Sequence, residues 1–237
     1  MMTSPESDII ASVTLEADLT SGSGASLEEQ KEIVDKHNAF RSSVAPTASN
    51  MVKMVWDNKA AESAQNWADQ CKLKSSSYAE RTINGIVCGE NVFMASYQST
   101  WSNVIQVWYD RGHSGFKYGD KAMDQAKSVY GFTQIVWYNS YQIGCARATC
   151  ANTPYTNFYV CRYCPGGNIV GQISTPYKQG PSCGDCPNNC ENNLCTNPCK
   201  YRNVYSNCKQ LMTMASCQDK MMTENCQAAC NCKTEII

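Results

Sequence analysis

An α+β domain of about 150 residues, followed by a linker and a small disulfide-held module, is the fold class that this chain of 237 residues predicts. Three observations carry the prediction. Amphipathic helical patterns fill the first part of the patterned region, and β-rich runs close it by residue 164. Ten of the sixteen cysteines then crowd between Cys183 and Cys232.

Residues 1–26 are rich in Ser, Thr, Asp, Glu and Gly and predict a mobile lead-in. Structure is expected from Ser26, where SLEE offers a capping box and Ile33, His37, Phe40 and Val44 follow at helical spacing. That helix should run to about Ser43, before Pro46. VKMVW at 52–56 predicts a short strand. Asp57 caps a second helix with Ala60, Ala64, Trp67 and Cys71 on one face, and Thr100 a third with Trp101, Val104, Ile105 and Trp108. FTQIVWY at 132–138 and NFYVCRYC at 157–164 are expected to be strands, with IGCARATC between them and ANTPYT turning the last two into a hairpin. GQISTPYKQGPS is a linker. The tail beyond it has too few apolar residues for a core without bridges.

The four cysteines Cys161, Cys164, Cys183 and Cys186 stand as C-x₂-C-x₁₈-C-x₂-C, a spacing shared with four-thiolate zinc sites. Zinc would leave twelve cysteines unexplained. The chain also holds only two histidines, His37 and His113, both far from the cluster. Counting therefore favours disulfides and an extracellular setting. The start MMTSPESDIIASV has neither a basic n-region nor an apolar h-region, so a mature or altered chain is the expectation. The formal net charge of −1 argues against a nucleic-acid binder. No run of apolar residues approaches membrane-spanning length.

SVYGFTQIVWYNSYQIGC and YVCRYCPGGN resemble the two signature stretches of the CAP superfamily, and CGENVFM its shorter third. SCGDCPNNCENNLCTNPC with the six-cysteine tail is similar to the hinge and C-terminal module of cysteine-rich secretory proteins. The resemblance implies an α-β-α sandwich over 27–167 (a CAP, or pathogenesis-related-1-like, domain), a linker and two-disulfide hinge over 168–198, and over 199–237 a compact helical module like potassium-channel-blocking anemone toxins. It also implies the pairings Cys71 with Cys150, Cys88 with Cys164, Cys145 with Cys161, Cys183 with Cys190, Cys186 with Cys195, Cys199 with Cys232, Cys208 with Cys226 and Cys217 with Cys230. Spacing alone leaves the connectivity open.

Members of this family commonly carry a His/Glu tetrad able to hold zinc or another divalent cation. Here only Glu90 matches; Ser75, Arg111 and Gly131 stand where the other three ligands are expected. Serine and glycine lack imidazole donors, and an arginine brings positive charge. No cofactor and no catalytic residue is therefore expected. Glu90 reads as a buried, hydrogen-bonded acid and His113 as a loop histidine whose segment, RGHSGFKYG, could bring it near Glu90. His37 reads as a core histidine, with Arg41 one turn on tying the helix down, and the five tryptophans as core.

What remains is recognition by surface. The resemblance points to a secreted, non-enzymatic protein that blocks or modulates an ion channel through its C-terminal module, the ending SCQDKMMTENCQAACNCKTEII resembling reptile venom members. Tyr201, Arg202, Tyr205, Lys209, Lys220, Met221 and Met222 are the candidate contacts. The alternative is a reproductive-tract or extracellular protein binding gamete or cell-surface receptors. A metal-dependent protease is the weakest reading.

Overall fold

The computed structural model describes residues 24–237, so the expected mobile lead-in lies outside the described residues except for its last three. Helix α1 (Leu27–Ser42) opens with a reciprocal capping box, the Glu29 N–H donating to Ser26 Oγ at 3.2 Å and the Ser26 N–H to Glu29 Oε2 at 2.9 Å. Asp57 caps α2 (Asn58–Ala68) through the Ala60 N–H at 2.7 Å, and Thr100 caps α3 (Trp101–His113) through the Asn103 N–H at 3.3 Å. A short helix α4 (Tyr130–Ile135) follows.

The main sheet has four strands in the order β1 (Val55–Trp56), β5 (Gln142–Thr149), β6 (Asn157–Cys164) and β4 (Gly89–Ala95). Only β1 pairs in parallel; the other neighbours are antiparallel. A two-residue hairpin, β2 (Thr82–Ile83) and β3 (Ile86–Val87), lies beside it. Every residue of β6 is buried, because both sheet faces are covered. Phe158 and Val160 point to α2, where Ala64, Trp67 and Ala68 meet Ala146 and Ala148. Tyr159, Cys161 and Tyr163 point the other way, into a core with Ile33, Trp101, Ile105, Phe132 and Ile135. The result is the α-β-α sandwich. A Cβ at Gly144 would fall far inside contact distance of the Ala61 backbone nitrogen, so α2 crosses the sheet where β5 has no side chain.

Three local expectations are corrected. FTQIVWY is not a strand: its first four residues close α4 and its last three leave the helix. Its β-rich composition hides a helical spacing, Phe132, Ile135 and Val136, that faces α3. VKMVW contributes only Val55 and Trp56 to the sheet, because Val52 and Lys53 are engaged by the Cys195 backbone instead. Cys71 lies beyond the end of α2, at φ 49°, rather than on its face.

The Gly/Pro/Ser linker is packed down: Ile173 and Tyr177 are buried, and the Tyr138 N–H donates to Pro176 O at 2.9 Å. Beyond it a small hairpin, β7 (Cys190–Glu191) and β8 (Leu194–Cys195), docks on the sandwich; the Cys195 N–H donates to Met51 O at 2.7 Å and the Lys53 N–H to Cys195 O at 2.8 Å. The last segment carries three short helices, α5 (Cys208–Leu211), α6 (Lys220–Asn225) and α7 (Gln227–Asn231). All sixteen cysteines are bonded, Cys71–Cys150, Cys88–Cys164 and Cys145–Cys161 in the sandwich, Cys183–Cys190 and Cys186–Cys195 in the hinge hairpin, and Cys199–Cys232, Cys208–Cys226 and Cys217–Cys230 in the tail.

Candidate functional site

Two places could meet a ligand: a cleft beside the sheet and the outer face of the tail. Ser75, Glu90, Arg111 and Gly131, far apart in the chain, all line one cleft of about 500 Å³. Ser75 comes from the loop after α2, Glu90 from β4, Arg111 from the last turn of α3 and Gly131 from α4. A Cβ at Gly131 would lie 3.1 Å from the Trp108 carbonyl oxygen, so α3 and α4 approach closely at this point.

Glu90 is buried and fully engaged. It sits opposite Arg162 in the β4–β6 register and forms a short ion pair with that guanidinium, whose side chain has no exposure. The Ser76 N–H and hydroxyl donate to it at 3.0 and 2.8 Å, and Arg81 Nη1 stands 3.9 Å away. Burial lowers the Arg162 pKa while Glu90 acts to raise it, as expected of a charge taken out of water with one partner. These donors occupy the acceptor sites that a cation would need, and neither Ser75, Gly131 nor Arg111 supplies a replacement carboxylate or imidazole. The residue set does not fit a divalent cation.

His113 does not approach Glu90. It is exposed at the end of α3, its ring stacked on Tyr109 at 4.8 Å, with Tyr109 in turn stacked on Phe40 at 3.8 Å. Residues two apart on a helix point to different sides, so with Arg111 in the cleft His113 must face away. His37 is buried, Nδ1 2.7 Å from Ile33 O and Nε2 3.0 Å from the Tyr163 hydroxyl. Arg41 spends its guanidinium on the carbonyls of Val52, Ile135, Trp137 and Tyr138, joining α1 to both segments that carry the hinge. Of the tryptophans, Trp67, Trp101, Trp108 and Trp137 are buried and Trp56 is half-buried.

The sulfurs of Cys183, Cys186 and Cys195 lie within 4.8 Å of one another, yet each is spent in a disulfide and offers no thiolate.

On the tail, Tyr201, Arg202, Tyr205, Lys209, Lys220 and Met221 are exposed. Met222 is not. It is completely buried with Cys208, Cys226 and Ala229, because α6 has one inward face and Met222 is on it. Sequence reasoning missed Val204, Met212 and Met214, exposed at 62%, 38% and 78%. For Met212 and Met214 the signal was LMTMAS, an apolar run at the end of a helix only four residues long; Val204, alone among polar residues and two tyrosines, gave none.

A family model described as "Cysteine-rich secretory protein family" (CAP) matches residues 34–163, and a second, Crisp, matches 183–237. The structure of NaASP2 with Zn2+ is 28% identical, with TM-score 0.62 over 73% of this chain and 97% of that one. Na-ASP-1 is 26% identical, with TM-score 0.63 over 76% of this chain and 50% of that one. BmVAL-1 is 26% identical, with TM-score 0.59 over 72% and 95%.

Proposed function

Because the chain belongs to the cysteine-rich secretory protein family, its CAP domain followed by a Crisp region, we propose that it is an exported binding protein without catalytic activity whose tail blocks an ion channel. One observation carries this reading: the tail joins covalent rigidity to apolar exposure. Three disulfides hold residues 199–237, while seven of the fifteen exposed large hydrophobic residues among the described residues fall in that segment. Exposed apolar side chains on a rigid frame bind with little ordering cost. Arg202, Lys209 and Lys220 stand among them as cationic contacts for acidic or aromatic groups at a pore mouth.

The spent cleft supports the absence of catalysis. Glu90 is held in an ion pair and no histidine lines the cavity, so no poised acid or base faces a substrate. The sixteen bonded cysteines support an oxidising compartment. Patch-clamp recording of potassium, calcium, ryanodine-receptor and cyclic-nucleotide-gated channels with the full chain tests the proposal. Block at micromolar concentration, weakened about tenfold by Tyr205→Ala, is the expected result. Silence across the panel, with binding to gamete or epithelial surfaces, would transfer the function to receptor recognition.

A further inference from the structure

The cleft that cannot hold a cation has the opposite electrostatic character. We infer that it is an oxyanion site, taking a phosphate- or carboxylate-bearing small molecule. Its charged lining residues are Arg81, Arg111 and Glu90, and the buried Arg162 lies directly behind Glu90. Arg81 and Arg162 thus share one carboxylate, already committed to Arg162 and Ser76, and Arg111 has none. Glu80, next to Arg81 in the chain, does not line the cleft and accepts from the Ser77 N–H at 2.7 Å.

Two features show unmet demand for an acceptor. Arg81, on the cleft wall, has its Nε buried without a hydrogen-bond partner; Arg162, behind Glu90 and not itself part of the wall, is likewise unpaired at Nη2. The Arg111 side chain makes no ion pair or hydrogen bond among the described residues; its guanidinium lies 6.0 Å from the Phe93 ring, and the residue lines the cavity. Unpaired N–H groups at a partly enclosed wall are costly, and an oxyanion presents the planar or tetrahedral oxygens that guanidinium forks match. The hydroxyls of Ser75 and Tyr130 on the same wall add neutral donors. The cavity, about 500 Å³, is of the size that holds small organic ligands. Substituting Arg111 at the cation-ligand position therefore reverses the preferred charge of the guest, and Ser75 and Gly131 leave it room.

The test is calorimetry of the full chain at low ionic strength with inorganic phosphate, citrate and zinc chloride in separate arms, with amide chemical shifts followed in parallel. Phosphate or citrate should bind and move the amides of Ser75 and Gly131, the stronger of the two naming the oxyanion class. Arg111→Glu should weaken that binding at least tenfold, and Arg111→Lys should retain it within a few-fold. The proposal is overturned if neither anion binds, if the shifts fall elsewhere, if Arg111→Glu leaves affinity unchanged, or if zinc binds at the cleft. The channel recordings do not bear on this result, so either reading can fail alone.

Discussion

Glu90 and Arg162 form the interaction on which the cleft wall depends at the scale of single residues. Both are buried, so removing one charge strands the other. Glu90→Gln should destabilise the fold by about 3–5 kcal/mol in urea unfolding; a change within experimental error would mean that the pair is solvated. His37 sets a pH dependence of known sign. Burial drops its pKa from 6.5 to about 4, so between these values the unfolded chain takes up a proton that the folded chain refuses. Its contribution is complete above pH 6.5 and is lost as the pH falls towards 4. The full shift is worth about 3 kcal/mol. Urea midpoints measured at intervals from pH 7 to pH 4 should fall for the native chain and fall less for His37→Gln.

Among the elements, α2 and the sheet meet where side chains vanish. Gly144→Ala would push a methyl group into the backbone at Ala61, and α2 cannot retreat without opening the layer of Trp67, Phe158 and Val160. A loss of about 3 kcal/mol is expected in thermal unfolding, more than an exposed Gly→Ala exchange could produce. The three long helices were legible in the sequence because their signals are local, a cap and an apolar stripe within a few turns. Helix α4 was not, since Phe132, Thr133 and Ile135 favour strands by composition and become helical through packing on α3. The split of VKMVW was equally hidden: Lys53 pairs with Cys195, more than a hundred residues away.

Over the whole molecule, the sandwich has an apolar core on each face of its sheet, whereas the tail relies on bonds between sulfurs. Its principal apolar cluster is Cys208, Met222, Cys226 and Ala229. Replacing Cys208 and Cys226 by alanine should remove about 2–5 kcal/mol from the tail. Hydrogen exchange should then accelerate over 199–237 while β5 and β6 keep their protection; acceleration across the sheet would mean that the two parts unfold together. Cysteine number and crowding, charge balance and helix caps were properties of the sequence alone, since each follows from composition or from neighbours within a few residues. Residues 75, 90, 111 and 131 reach one cleft only where α3, α4, β4 and the loop after α2 meet; sheet register sets Arg162 against Glu90, and Arg81 approaches it from the turn before β2. Tertiary packing likewise decided that Met221 faces water and Met222 does not, because a short helix can bury only one side.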